Sequence, residues 1–383
     1  MSTSLPEQRP SGAWPRIRAW IDGGGLLDRR AVIVVLLAVL IVVMVVLDVA
    51  GVTTAPLTTD YFAASLINIV PLALLAIAEL FVITTGDGSI DLSVGSMVSL
   101  VGMVFGILYG TQKWDFAAAA VVALLVGALL GWINGFLTAY FRYPALITTL
   151  ATYYAYASIA LVITNASPIS GPRIQELYGA AQSVELPLIG AYVPLVPLGV
   201  FTFLLPVAVI AWLVLNRTTY GRQLYAIGTN STAASWAGIN TRRSQLLAFV
   251  VSGVISALVA IYTVAQFASA RPDAGTSGPG MALPAITIAV LGGVAITGGV
   301  GRIGGVLLAA LLIVWMNASI LIVVPGNAGS QLQFLALAVV LLGASLVDVT
   351  NSRSRRARAR QSTSAGGAGG VAEMADSAAS QAK

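Results

Sequence analysis

Few side chains in this chain could do chemistry, and those that could sit in or beside long apolar runs. Glu79 lies inside Leu-Leu-Ala-Ile-Ala-Glu-Leu-Phe-Val-Ile, while Asp87 and Asp91 lie in Thr84-Thr85-Gly86-Asp87-Gly88-Ser89-Ile90-Asp91-Leu92-Ser93-Val94-Gly95. A charge facing lipid costs at least about 2.5 kcal/mol, so Glu79 is expected to face a bundle interior, either on a polar path or bonded to a neighbouring helix. Asn68, Asn134 and Asn317 pose the same choice, and hydrogen bonds between helices are the favoured reading. In the Asp87–Gly95 stretch, Gly88 can take backbone angles closed to other residues, and the Asp and Ser side chains can satisfy backbone groups freed by a helix break. The stretch is therefore either a tight cytoplasmic turn, which the spacing favours, or a broken helix beside a translocation path. Asp91 ahead of Leu92-Ser93 reads as a helix N-cap.

Catalysis finds little to work with. There is no His and no Cys, and no paired intramembrane carboxylates suited to acid–base work. The lysines are Lys113, preceded by Gln112, and Lys383, so no Gly-Lys-Ser/Thr phosphate loop can form. Any ATP-derived energy must enter through another chain, and no metal site is expected.

The elements that must position these residues are membrane spans. Of 383 residues, 57% are hydrophobic and 9% charged, against about 25% charged in soluble domains. A span needs about 20 apolar residues, and ten such segments are expected: 31–51, 62–85, 91–110, 116–140, 145–165, 194–215, 245–268, 281–301, 303–323 and 331–349. The fold class is thus an all-α polytopic membrane protein of about ten transmembrane helices. With both termini cytoplasmic, seventeen of the 20 basic residues fall inside and only Lys113, Arg173 and Arg271 outside, which satisfies the positive-inside bias. The net charge of +5 reports this topology and gives no reason to invoke nucleic acid.

Around the membrane region 31–350, residues 1–30 and 351–383 read as disordered cytoplasmic tails. Trp14 and Trp20 could rest on the membrane surface or be incidental to a solvated tail, and the Arg353–Arg360 cluster anchors the last span near anionic lipid. Two loops are long enough to hold structure, 166–193 outside and 216–244 inside. Within the inner loop, Gly221-Arg222 to Gly238-Ile239-Asn240 reads as a small-residue helical patch. Ala233, Ala234 and Ala237 make a flat face flanked by Arg222, Arg242 and Arg243, suited to docking on a motor protein. Glycines at four-residue spacing, Gly127, Gly131 and Gly135, let helices approach closely, and Gly292–Gly305 reads as a short turn between helices at the inner face.

Four collinear stretches resemble one family, the permease subunit of bacterial ATP-binding-cassette importers for simple sugars and autoinducer-2. Gly88-Ser89-Ile90-Asp91-Leu92-Ser93-Val94-Gly95 is similar to its Gly-x-Ile-Asp-Leu-Ser-Val-Gly signature, and Gly131-Trp132-Ile133-Asn134-Gly135 with Tyr143–Leu150 to its Gly-x-x-Asn-Gly and following Pro run. Gly221–Asn240 resembles its cytoplasmic segment, and Leu291-Gly292-Gly293…Gly298-Gly299-x-Gly301 its late glycine signature. The chain departs from that pattern at Glu79 and Trp236 and in the length of Asp87-Gly88-Ser89. The resemblance implies the ABC importer permease fold, paired with a second permease copy or paralogue. It implies an ATPase bearing ATP and Mg docked on Gly221, Arg222, Gly228, Asn230, Ala233, Ala234, Gly238 and Ile239. It also implies an external sugar-binding protein, and residence in the bacterial plasma membrane. The implied structural signature is Gly88, Asp91, Ser93, Gly95, Gly292, Gly293, Gly298 and Gly299. Candidates for the substrate path are Asn68, Glu79, Asn134, Tyr153, Gln266 and Phe267. An ion-coupled secondary transporter is the alternative reading.

Overall fold

In the computed structural model, residues 29–184, 196–278 and 280–343 are described. The readings of both tails, of 185–193 in the outer loop and of the segment beyond residue 343 lie outside them. Among the described residues, eight helices are long and apolar enough to cross a membrane: α1 (Arg29–Val49), α2 (Thr59–Thr84), α3 (Val94–Thr111), α4 (Phe116–Ala139), α5 (Ala145–Val162), α7 (Val200–Arg217), α10 (Thr241–Gln266) and α12 (Ile303–Val323). Short α6 (Pro172–Glu176), α8 (Thr219–Thr229) and α9 (Ser231–Trp236) lie in the two loops. Two shorter apolar helices complete the set, α11 (Ala282–Leu291) and α13 (Asn327–Gly343). A two-residue ladder, β1 (Ser183–Val184) with β2 (Val196–Pro197), is antiparallel. Residues to Leu337 form one unit; of the second, Ala338–Lys383, only the end of α13 is described.

Ten apolar helices therefore fall where ten spans were expected, with one correction of kind. The segment 281–301 is no full span. Its helix stops at Leu291 after 10 residues, about 15 Å of rise against the roughly 30 Å of a bilayer core. Gly292, Gly293, Gly298 and Gly299 then form an irregular turn before α12. Likewise α3 starts only at Val94, after a non-helical stretch from Ser89 to Ser93 in which Ser89, Asp91 and Ser93 are buried and Ile90 and Leu92 half-buried. Non-helical backbone at membrane depth survives only when protein covers it or water lines it. Every residue of α11 except Leu283 is buried.

The long helices alternate in direction, which gathers the basic residues. Arg142, Arg217, Arg222, Arg242, Arg243 and Arg302 follow or precede helix ends on one side. Lys113, Arg173 and Arg271 lie on the other, where Ile169 pairs with Ala270 and Arg173 donates to the Trp114 carbonyl at 3.1 Å. By the positive-inside bias the first side is cytoplasmic.

Helix α10 is the central post, lying along α4, α2 and α3. Its contact with α4 explains the four-residue glycine spacing: a Cβ on Gly127 would reach Ala257 Cβ at 2.6 Å, one on Gly131 would strike the Phe249 carbonyl, and one on Gly135 would come within 2.9 Å of Leu246 Cα. Backbones can approach this closely only where side chains are absent. The two broken segments meet in the same interior. The α3 helix rises from the inner side and α11 descends from the outer, and Gly95 and Gly275 touch such that a Cβ on either would collide with the other's carbonyl oxygen. The Gly275 N–H donates to Ser99 Oγ at 3.0 Å, holding the crossing.

Candidate substrate path and coupling surface

The polar residues of the Asp87–Gly95 stretch divide between a surface turn and a buried knot. Asp87 and Gly88 are exposed at the turn, with Gly86, Asp87 and Gly88 all at positive φ. From Ser89 inward the polar residues Ser89, Asp91 and Ser93 are buried, and Asp91 is fully enclosed. Asp91 Oδ1 accepts from the Ser93 N–H at 3.1 Å and the Ser93 hydroxyl at 2.6 Å, and from Asn134 Nδ2 at 3.5 Å. Its Oδ2 accepts from Ser252 at 2.9 Å. Asn134 also donates to Ser93 Oγ at 2.8 Å. The helix N-cap is thus Ser93 and not Asp91; the carboxylate instead binds the cap residue and ties in α4 and α10. Glu79 joins through its Oε2, which accepts the Asp91 N–H at 3.3 Å. Thr149 of α5 donates to the Ile90 carbonyl at 3.0 Å.

Ser93 and the helices α4 and α10 thus supply neutral donors to one carboxylate, while α2 and α5 bond the backbone beside it, which is how a low-dielectric interior accommodates a polar group. Of the path candidates, Glu79 and Asn134 belong to this knot and are wholly buried. Among the described residues, Glu79 Oε1 and Asn134 Oδ1 have no hydrogen-bond partner.

Asn68, Gln266 and Phe267 come together elsewhere, at the outer end. Gln266 Nε2 donates to Asn68 Oδ1 at 3.0 Å, and Tyr262 donates to the Ile67 carbonyl at 3.2 Å. Phe267 is exposed, its ring 4.9 Å below the Arg271 guanidinium, which pairs with Asp273 at 3.6 Å. Amides, an aromatic face and an open ion pair thus share one mouth. Arg271 and Asp273 were not foreseen as site residues; the signal was the Arg-Pro-Asp that follows α10 in an otherwise uncharged region. Tyr153 lies apart on α5, edge-on to Tyr154 at 5.2 Å, and among the described residues shares no hydrogen bond with either group. A cavity of 580 Å³ between α2, α7 and α12 is lined by Leu66, Ile69, Leu204, Trp212, Leu307 and other apolar side chains, a lining that offers a sugar no hydrogen bonds.

The inner loop forms two short helices with a cap at each start. Thr218 accepts from Gly221 N–H at 3.2 Å, Asn230 from Ala233 N–H at 2.9 Å and Asn240 from Arg243 N–H at 3.0 Å. Each cap holds a helix start worth about 1 kcal/mol, so Asn230 has a structural job inside the motif. At the end of α9, Gly238 takes φ +81 and the Ile239 N–H returns to the Ala234 carbonyl at 3.1 Å, a left-handed helix stop that favours glycine. Gly221 is buried, a Cβ there striking the Leu215 carbonyl. Gly228 faces the end of the bundle, pressed against Thr84 and Gly299, and so drops out of the docking set as a contact residue. Arg222 is exposed and Ile239 half-buried. Ala234 turns inward, at 5% exposure, so the outward face is Ala233, Trp236 and Ala237, with Trp236 87% exposed. An almost fully exposed Trp on a capped helix is what a protein-binding anchor looks like. Burial pushes the Tyr225 phenol up, with the Arg302 guanidinium pulling it back; it stays a donor at neutral pH and bonds the Gly301 carbonyl at 2.8 Å.

Comparison with known proteins agrees with this architecture. A family described as branched-chain amino acid transport system / permease component matches residues 61–349. The ribose import permease protein RbsC of Escherichia coli (strain K12) is 34% identical over 278 residues, covering 72% of this chain and 81% of the relative. The RbsC of Haemophilus influenzae is 35% identical over the same shares. The autoinducer 2 import system permease protein LsrD of Photorhabdus luminescens is 36% identical over 265 residues, 68% of this chain and 76% of the relative. No solved structure gives a significant match. The matched stretch holds the carboxylate knot, both broken helices and the capped inner loop, and on that ground the chain belongs to the family of transport-system permease components.

Proposed function

We propose that this chain is the conduit of an ATP-binding-cassette importer in the bacterial plasma membrane, passing a monosaccharide or similar small polar solute inward. It is a transport subunit. A separate ATPase that grips α8–α9 binds ATP with Mg and hydrolyses the ATP, a second permease copy or paralogue completes the conduit, and an external binding protein delivers cargo. The observation that carries the reading is the outward face of α9, where Ala233, Trp236 and Ala237 project from a helix pair capped at both starts. Stiff caps make the pair a rigid handle, and its basic surroundings mark the cytoplasmic side.

Sugar as the cargo class is supported by the outer mouth. Asn68, Gln266, Phe267, Arg271 and Asp273 offer amides, a ring face and paired charges, which suit hydroxyl groups. The relatives named for ribose and autoinducer 2 point the same way.

The test is reconstitution with the ATPase and the binding protein in vesicles, reading ATP-driven uptake of ribose. Ala233→Arg is expected to abolish both co-purification of the ATPase and uptake while membrane insertion persists. Trp236→Ala is expected to weaken ATPase binding by about 2 kcal/mol, as loss of an interface anchor does. Uphill accumulation by vesicles holding the permease alone would refute the reading.

A further inference from the structure

Three segments distant in sequence meet almost backbone to backbone at the inner end of the bundle, the Thr229 hydroxyl being the one side-chain group among the closest contacts of their glycines. They are the end of α2 with its following turn (Thr84 and Gly86), the end of α8 (Gly228 and Thr229) and the turn between α11 and α12 (Thr297 to Gly299). The Gly299 N–H donates to the Thr84 carbonyl at 3.1 Å. A Cβ on Gly228 would strike both that carbonyl and the Gly299 amide, and one on Gly298 would strike Gly86 Cα. One on Gly86 would come within 2.9 Å of Gly228 Cα, and one on Gly299 within 2.8 Å of the Thr229 nitrogen. One turn earlier on α8, the Tyr225 hydroxyl reaches the Gly301 carbonyl at 2.8 Å.

We propose that this glycine junction passes the movement of the docking helices to the two broken core segments, with Gly228 as its positioning residue. The inference rests on the ATPase docking proposed above. A layer of side chains between two elements can change rotamers and absorb a small shift; close-packed backbone cannot, because such contacts have low compressibility. The two segments gripped are the ones that matter for opening a path. Gly86 leads through Ser89–Ser93 into α3, and Thr297–Gly299 closes the turn that ends α11. The start of α3 meets the lead-in to α11 at Gly95 and Gly275 in the bundle interior. A displacement of α8 therefore reaches both sides of that contact at once. Packed interfaces tend to switch between discrete arrangements, so a small shift at the handle suffices.

A junction that merely holds three ends together makes a different prediction. Because the chain has no cysteine, Asp87→Cys places a sole thiol on the exposed tip of the α2–α3 turn. Maleimide labelling of that thiol is measured in the complex of permease, ATPase and binding protein, nucleotide-free and trapped with ATP and vanadate. With Gly228 intact the two rates are expected to differ about fivefold or more. In Gly228→Ala the ATPase still co-purifies and the difference collapses. A difference as large as in the Gly228 background overturns the junction's role. If Gly228→Ala fails to assemble, Tyr225→Phe decides: it deletes one hydroxyl, the labelling difference is expected to shrink, and an unchanged difference overturns the proposal. Failure of the docking reading is told apart because it shows before any junction residue is altered, as an ATPase that does not co-purify or a rate that ignores nucleotide.

Discussion

A buried carboxylate is tolerable when donors fill its oxygens, and Asp91 fills both with the Ser93 amide, two serine hydroxyls and an asparagine amide. Asp91→Ala would leave the Ser93 N–H and the Ser93 and Ser252 hydroxyls facing an apolar gap. At about 1–3 kcal/mol for each buried group left unpaired, the variant is expected to lose about 3 kcal/mol or more, read as a lowered unfolding temperature in nanodiscs. Asp91→Asn keeps one acceptor oxygen and should lose less. Equal losses in the two variants would mean that the carboxylate contributes by volume and not by accepting these bonds. Glu79 belongs to the same calculation, since its Oε2 takes the Asp91 amide; it is an anchor of the lead-in to α3 as built.

At the scale of elements, the informative feature is the pair of half-buried lead-ins that open α3 and α11. Each gives up helical hydrogen bonds, and each recovers them locally: Ser93 through Asp91, Gly275 through Ser99, Met281 through the Gly275 carbonyl at 2.9 Å. The crossing of Gly95 and Gly275 leaves no room for a methyl group. Gly275→Ala is therefore expected to destabilise the bundle by about 1–3 kcal/mol, the usual cost of overpacking, seen as a lower unfolding midpoint. Gly179→Ala, where nothing lies within 4 Å, should leave that midpoint unchanged. A neutral Gly275→Ala would mean that the two lead-ins can slide apart without cost.

At the scale of the whole molecule, two ends of opposite character follow from helices that alternate in direction, one rich in arginine and carrying α8–α9, the other carrying the Asn68–Gln266–Phe267 mouth. Single-cysteine labelling in intact cells tests this sidedness. Thr232→Cys on the exposed face of α9 is expected to resist an impermeant maleimide from outside and to react in inverted vesicles, and Gly179→Cys to do the reverse. The opposite pattern would place the docking helices where no cytoplasmic ATPase can reach them.

Hydropathy and charge alone determined that the chain is a helical bundle of about ten apolar segments and which of its faces is basic, because a bilayer penalises polar backbone and charge so steeply that the pattern must be written in composition. The motifs likewise marked the capped inner loop and the Asp91 stretch. Nothing in the sequence singled out Gly275 or Ser252, or joined Gly86, Gly228 and Gly298, because these contacts link residues up to about two hundred positions apart and depend on how helices cross. The glycines from Gly292 marked a turn near the end of the 281–301 segment, but not that its freed backbone is buried against α2, α8 and α12, which is what makes a half-length helix affordable. Tertiary structure also decided which polar groups are structural, enclosing Glu79 and Asn134 around Asp91 while leaving Asn68 and Phe267 open at the outer mouth.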